Sequence, residues 1–160
     1  MNQPIDKVAV RFELNGELVE REIPVRQLLV DFIRDDLGLT ATRVGCEQGV
    51  CGSCTVMLDG ASVRSCLMFA VQADGCVVRT VEGLADGATM HPLQQAFWDN
   101  HALQCGFCTS GFLMTALDLI EHQAGTGEKE VRNALSGNLC RCTGYANIVA
   151  AVQSALAGKR

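Results

Sequence analysis

Gly45-Cys46-Glu47-Gln48-Gly49-Val50-Cys51-Gly52-Ser53-Cys54-Thr55 places three cysteines at C-x₄-C-x₂-C, and Cys66 follows downstream. This is the plant-type spacing of a [2Fe–2S] cluster, in which four thiolates close around two irons. One short loop can supply three of them only if its backbone curls around the metal. Glycine allows positive φ and close backbone approach, and Gly45, Gly49 and Gly52 interleave the cysteines. Such a loop also turns backbone N–H groups toward anionic sulfur, which helps set the potential.

Outward from this loop the chain reads as two halves. Val8, Val10, Phe12 and Leu14 alternate with polar or small residues, the pattern of a half-buried strand. Asn15-Gly16 is a two-residue hairpin signal, and Leu18–Ile23 returns as a second strand that Pro24 ends. Val25, Leu28, Leu29, Phe32, Ile33 and Leu37 fall at helical spacing, with Gly38 placed to stop the helix. Beyond the cysteine loop, Thr55–Leu58 reads as a strand, Asp59-Gly60 as a turn whose return leads to Cys66, and residues 77–81 as a last strand. A small mixed sheet packed on one helix, an α+β arrangement, is expected over residues 1–82.

From residue 83 to 160 the strand pattern gives way to helices. Pro92 suits a first helical turn, with Leu93, Ala96 and Phe97 on its inner face. Phe112 to Ile120 marks a second helix, Gly125-Thr126-Gly127 a break, Val131 to Leu135 a third helix and Ile148 to Leu156 a fourth. A four-helix domain follows. It carries its own cysteines, Cys105 and Cys108 in one pair and Cys140 and Cys142 in another, both between helices. Helix ends offer unpaired N–H groups that suit an anionic cluster.

Composition narrows the chemistry. A net charge of −5 argues against nucleic acid. Nine cysteines allow either a disulfide framework or metal chemistry in a reducing compartment. The odd count, and an N-terminus without basic and apolar leader segments, favour the second and a cytoplasmic location. No apolar run approaches the length of a membrane span. Structural zinc is the rival for each cysteine group. The C-x₄-C-x₂-C run favours iron–sulfur for the first, whereas C-x₂-C with C-x-C leaves both metals open for the second. A Rieske centre needs two histidines as ligands, and His91, His101 and His122 make no such pairing, so they are expected on helix surfaces. Cys76, the ninth, is expected to pack as a small hydrophobe. No nucleotide-binding glycine motif follows a strand, and no catalytic Cys/His or Ser/His pairing stands out.

Cys105-Gly106-Phe107-Cys108-Thr109-Ser110-Gly111 and Ser136-Gly137-Asn138-Leu139-Cys140-Arg141-Cys142-Thr143-Gly144-Tyr145, with the Gly45–Thr55 loop, resemble the small iron–sulfur subunit of the xanthine oxidase family of molybdenum hydroxylases. The resemblance runs from the first strand to about Leu156. It implies a plant-ferredoxin-like β-grasp domain holding one [2Fe–2S] cluster through Cys46, Cys51, Cys54 and Cys66. It implies a four-helix domain holding the other through Cys105, Cys108, Cys140 and Cys142. It also implies a large subunit with molybdopterin-bound molybdenum near Gln104 and Cys142, an FAD subunit on the side of the first cluster, and a dimer of such heterotrimers. Electrons would pass singly from molybdenum through both clusters to FAD. A free-standing two-cluster ferredoxin is the alternative. Ser110 stands where the family usually has proline; ligation should survive that change.

Overall fold

The computed structural model describes residues 6–122, 125 and 127–158. Two strands open it, β1 (Lys7–Leu14) and β2 (Glu17–Pro24), paired antiparallel with Leu14 opposite Glu17. Asn15 and Gly16 both take positive φ, 52° and 86°, as the two-residue turn requires. Val10, Phe12 and Leu14 point inward, while Val8 at the strand's start is exposed. The sheet is completed by β3 (Thr55–Leu58), β4 (Ala61–Arg64) and β5 (Val77–Arg79) in the order β2-β1-β5-β3-β4. The central β1–β5 pair is parallel and the other pairings are antiparallel. Asp59 and Gly60, at φ 47° and 85°, form the β3–β4 turn.

The helix expected from Val25 onward is much shorter than its periodicity suggests. It begins at Leu29 as α1 (Leu29–Asp31) and continues as a π turn over Phe32–Asp36. The reason is tertiary. The Ala70 amide donates to the Gln27 carbonyl at 2.8 Å, the Leu29 amide to the Met68 carbonyl at 2.8 Å, and Leu28 bridges Phe69. The backbone of residues 27–29 is therefore engaged with a distant segment and cannot start a helix earlier. The π turn keeps Phe32 and Ile33 buried and sends Arg34 toward the next loop, where it donates to the carbonyls of Thr40 and Thr42 at 2.8 and 2.7 Å. Gly38, at φ 73°, follows the helical segment as expected.

Four helices follow: α2 (Pro92–Asp99), α3 (Thr109–Glu121), α4 (Glu128–Ala134) and α5 (Ala146–Ala157). His91 caps α2, its Nδ1 accepting the Leu93 amide at 3.2 Å. The expected break at Gly125-Thr126-Gly127 lies partly outside the described residues, since Thr126 is not among them. Two large apolar cores result, with a small third cluster of Val30, Cys54 and Cys66. One joins Phe12, Leu29, Phe32, Ile33, Val56 and Val78; the other joins Leu93, Phe97, Phe112, Met114, Ile148 and Val152. Met57 on β3 belongs to the second core although its neighbour Val56 belongs to the first. Alternate side chains of a strand leave opposite faces, so β3 gives one residue to each core and α3 packs across it.

Candidate metal centres

Residues 37–54 form the loop between the π turn and β3. Within it Glu47, Gly49 and Gly52 lie at φ 54°, 74° and 74°. Gly49 and Gly52 supply the curl that glycine permits, and Glu47 adds a left-handed position without being glycine. Gly45 serves a different purpose: a Cβ there would stand 3.1 Å from Cys51 Sγ and 3.3 Å from Phe107 Cε1. The curl directs the amides of Gln48 and Cys51 onto Cys46 Sγ at 3.4 and 3.3 Å. Those amides, Cys51's first and then Gln48's, hold the Cys46 thiol down at about 7. Cys54 immediately precedes β3, and Cys66 lies in the turn after β4. The Thr55–Arg64 register brings them side by side, with Ser65 Oγ donating to the Cys54 carbonyl at 2.7 Å. Both are buried, and burial pushes the Cys54 thiol up to about 11.

In the helical half, Cys105 and Cys108 precede α3, while Cys140 and Cys142 lie between α4 and α5. Cys108 sits at the start of α3, and burial, followed by its contact with Cys140, pushes its thiol up to about 12. Cys105 and Cys142 are exposed, with their sulfurs 3.6 Å apart. The adjacent Cys105 thiol pushes the Cys142 thiol above its ordinary value. Burial also pushes Cys140 up, but hydrogen bonds from the Thr143 hydroxyl and amide, the Cys142 amide and the Cys108 thiol pull it below its ordinary value.

The thiols thus meet as pairs: Cys46 with Cys51, Cys54 with Cys66, Cys105 with Cys142, and Cys108 with Cys140. Among the described residues no group of three or more candidate ligands gathers around one point. A mononuclear tetrahedral site needs four ligands around a single ion. A two-iron cluster takes two thiolates on each iron. Tetrahedral bonds of about 2.3 Å put two thiolates about 3.7 Å apart, close to the Cys105–Cys142 separation. Paired thiols and amide donors on sulfur fit [2Fe–2S] at both places, and the first adds a curled glycine loop. His91 caps a helix, and His101 and His122 are exposed. Cys76 is half-buried before β5, its thiol directed at the carbonyls of Gln72 and Asp74 at 3.8 Å. Gln104 is exposed beside Cys105.

The two groups are adjoining. The Leu139 amide, one residue before Cys140, donates to the Cys51 carbonyl at 2.9 Å. A cleft of about 350 Å³ is lined by Cys51 and Gly45 on one side and Phe107, Cys105, Cys140 and Cys142 on the other. Asn138, 2% exposed, donates from Nδ2 to the Gly52 carbonyl at 3.2 Å and accepts at Oδ1 from the Thr115 hydroxyl at 2.9 Å. Arg64 reaches Thr55 Oγ1 and the Gly137 carbonyl at 2.6 and 2.9 Å. Sequence reading missed the roles of Asn138 and Arg64 and the contact between Gly52 and Asn138. The Gly137-Asn138 dipeptide beside Cys140 was the available signal, and it carries no address for its partner.

The chain matches two family models in succession, a 2Fe-2S iron–sulfur cluster binding domain over residues 12–90 and a [2Fe-2S] binding domain over residues 80–153. It is 54% identical to the nicotine 6-hydroxylase small subunit of Paenarthrobacter nicotinovorans, covering 95% of this chain and 92% of the relative. It is 54% identical to caffeine dehydrogenase subunit gamma of Pseudomonas sp. strain CBB1, covering 91% and 89%. Among solved structures, quinoline 2-oxidoreductase of Pseudomonas putida 86 superposes with a TM-score of 0.91 at 46% identity, covering 95% of each chain.

Proposed function

The chain belongs to the small iron–sulfur subunits of the xanthine oxidase family of molybdenum hydroxylases, and from that premise we propose that it relays electrons from a molybdenum subunit through two clusters to an FAD subunit. A bound [2Fe–2S] cluster supplies storage for one electron at a time. In this reading residues 1–82 hold one cluster through Cys46, Cys51, Cys54 and Cys66. Residues 83–160 hold the other through Cys105, Cys108, Cys140 and Cys142. The observation that carries the reading is the pairing of the thiols within two groups joined by the hydrogen bond from the Leu139 amide to the Cys51 carbonyl. That contact gives a path from Cys140 to Cys51 interrupted only by a single hydrogen bond.

The exposed Cys105–Cys142 pair, with Gln104 beside it, is assigned to the molybdopterin side. The exposed rim of Glu47, Gln48 and Val50 is assigned to the flavin side. Exposed apolar side chains accompany both: Val50 and Leu67 beside the first group, Phe107 and Leu139 beside the second. Apolar surface of this kind marks contact with partners, and a dimer of heterotrimers is the assembly proposed. The relatives above are named for nicotine, caffeine and quinoline. That supports an N-heterocyclic substrate for the complex, bound in the molybdenum subunit.

EPR of the native, dithionite-reduced complex tests the assignment. Two distinct [2Fe–2S] signals are expected, and Cys105→Ser should alter one and leave the other. A colourless zinc protein would defeat the cluster reading. A native protein that purifies alone, without a molybdenum-containing partner, would favour the free ferredoxin instead.

A further inference from the structure

Between the last cysteine and α5 the chain makes a tight excursion, Cys142-Thr143-Gly144-Tyr145. Gly144 and Tyr145 lie at φ 66° and 69°. Positive φ is easy for glycine but strained for an aromatic residue. The surroundings hold Tyr145 there. Its hydroxyl accepts the Cys140 amide at 3.0 Å, and its ring meets Phe112 edge-on with centroids 6.3 Å apart. The bent backbone turns the Tyr145 amide back onto Thr143 Oγ1 at 3.2 Å. The same Oγ1 lies 3.1 Å from Cys140 Sγ, and the Thr143 amide lies 3.4 Å from that sulfur.

A threonine hydroxyl has one proton to give and two lone pairs to receive with. The Tyr145 amide takes up a lone pair, so the proton is left for the sulfur. Cys140 as a metal ligand is a thiolate and can only accept. Each partner's role is thereby fixed. Among the hydrogen bonds of the described residues, this is the one in which a hydroxyl is directed at a cysteine sulfur; Cys46 receives backbone amides.

We propose that Thr143 is a potential-setting residue for the second cluster, and that Tyr145 is the positioning residue that fixes its proton on Cys140. One-electron reduction adds one negative charge to the cluster and its sulfurs. A hydrogen bond to an ionised acceptor strengthens with the charge it meets. The Thr143 hydroxyl therefore stabilises the reduced form more than the oxidised form and raises the midpoint potential. The hydroxyl keeps the second cluster ready to accept an electron.

The inference rests on the reading that Cys140 is a cluster ligand. The test is an EPR-monitored redox titration of the complete native complex carrying Thr143→Val, Thr143→Ala or Thr143→Ser. Thr143→Val keeps the shape and the backbone amide but loses the proton. At a fixed potential its ratio of reduced to oxidised second cluster should fall on the order of tenfold, a shift of about 59 mV to lower potential for one electron. Thr143→Ala should follow it, Thr143→Ser should stay near wild type, and the first cluster should not move. An unmoved second cluster in Thr143→Val, or equal shifts of both clusters, would overturn the proposal. So would loss of the second signal in both Val and Ala variants with retention in Ser, which would make the hydroxyl a retention device. If the wild-type complex itself lacks a second signal, the ligand reading fails instead, and the two failures are distinguishable.

Discussion

Ser110 lies in the first turn of α3, buried, and its hydroxyl has no partner among the described residues. A buried unsatisfied hydroxyl is unfavourable by about 1–3 kcal/mol. Ser110→Ala should therefore stabilise the protein by about 1 kcal/mol, read as a higher melting temperature with unchanged cluster spectra. His122 is a residue whose effect depends on pH. It stands at the C-terminal end of α3, its Nδ1 3.0 Å from the Asp118 carbonyl and 2.7 Å from the Asp118 carboxylate. The carbonyl, then the carboxylate, raise its pKa above the ordinary 6.5. A group raised in the folded state contributes fully below the unfolded value and loses that contribution as pH climbs through the folded value. The difference in melting temperature between wild type and His122→Gln should therefore be greatest below about pH 6.5 and fade above it. It should be small, because the ring is exposed.

At the scale of elements, α3 is the piece that joins the two halves. Its N-terminus carries Cys108. Its side face meets β3 through Met57, and its far end reaches β4 and β5. Asp118 accepts from the amide and hydroxyl of Ser62, and Glu121 pairs with Arg79 at 2.5 Å. Gly111 allows the closest approach, since a Cβ there would run into the Gly52 carbonyl oxygen. Backbone cannot yield as a flexible side chain can, so Gly111→Ala should destabilise by about 1–3 kcal/mol. Because Gly52 belongs to the first cysteine loop, the change should also broaden the first cluster's EPR signal. Melting and EPR of the variant decide this, and a variant as stable as wild type would show that α3 does not need the close approach.

Over the whole molecule, the two cysteine groups behave as one structural unit. Asn138 belongs by sequence to the helical half, yet its amide nitrogen is spent on the Gly52 carbonyl. Asn138→Ala leaves the Thr115 hydroxyl without its acceptor in a buried place and cuts the link to the Gly52 carbonyl, which keeps only the amide and hydroxyl of Thr55 from its own loop. A loss of about 2 kcal/mol is expected, with a single unfolding transition, since both cores share β3 and this clamp. Two separated transitions in calorimetry would show instead that the halves unfold independently.

The family was legible through the resemblance of the Cys105–Gly111 and Ser136–Tyr145 stretches to known motifs, and the sequence alone carried the cysteine spacing, the two hairpin turns at Asn15-Gly16 and Asp59-Gly60, and the order of strands and helices. Those last features rest on local signals that the sequence holds: ligand spacing, positive-φ turn residues, and the alternation or helical period of apolar residues. The sequence did not determine where α1 begins, because residues 27–29 bond to residues 68–70 before they can coil. Nor did it determine that Met57 leaves one core for the other, that thiols pair as 105 with 142 and 108 with 140, or that Asn138 and Gly111 close on Gly52. Those contacts join residues far apart along the chain, and spacing carries no information about them. Thr143 is the intermediate case. Its neighbourhood to Cys140 is written in the sequence, but only the folded excursion through a left-handed Tyr145 turns its proton toward the sulfur.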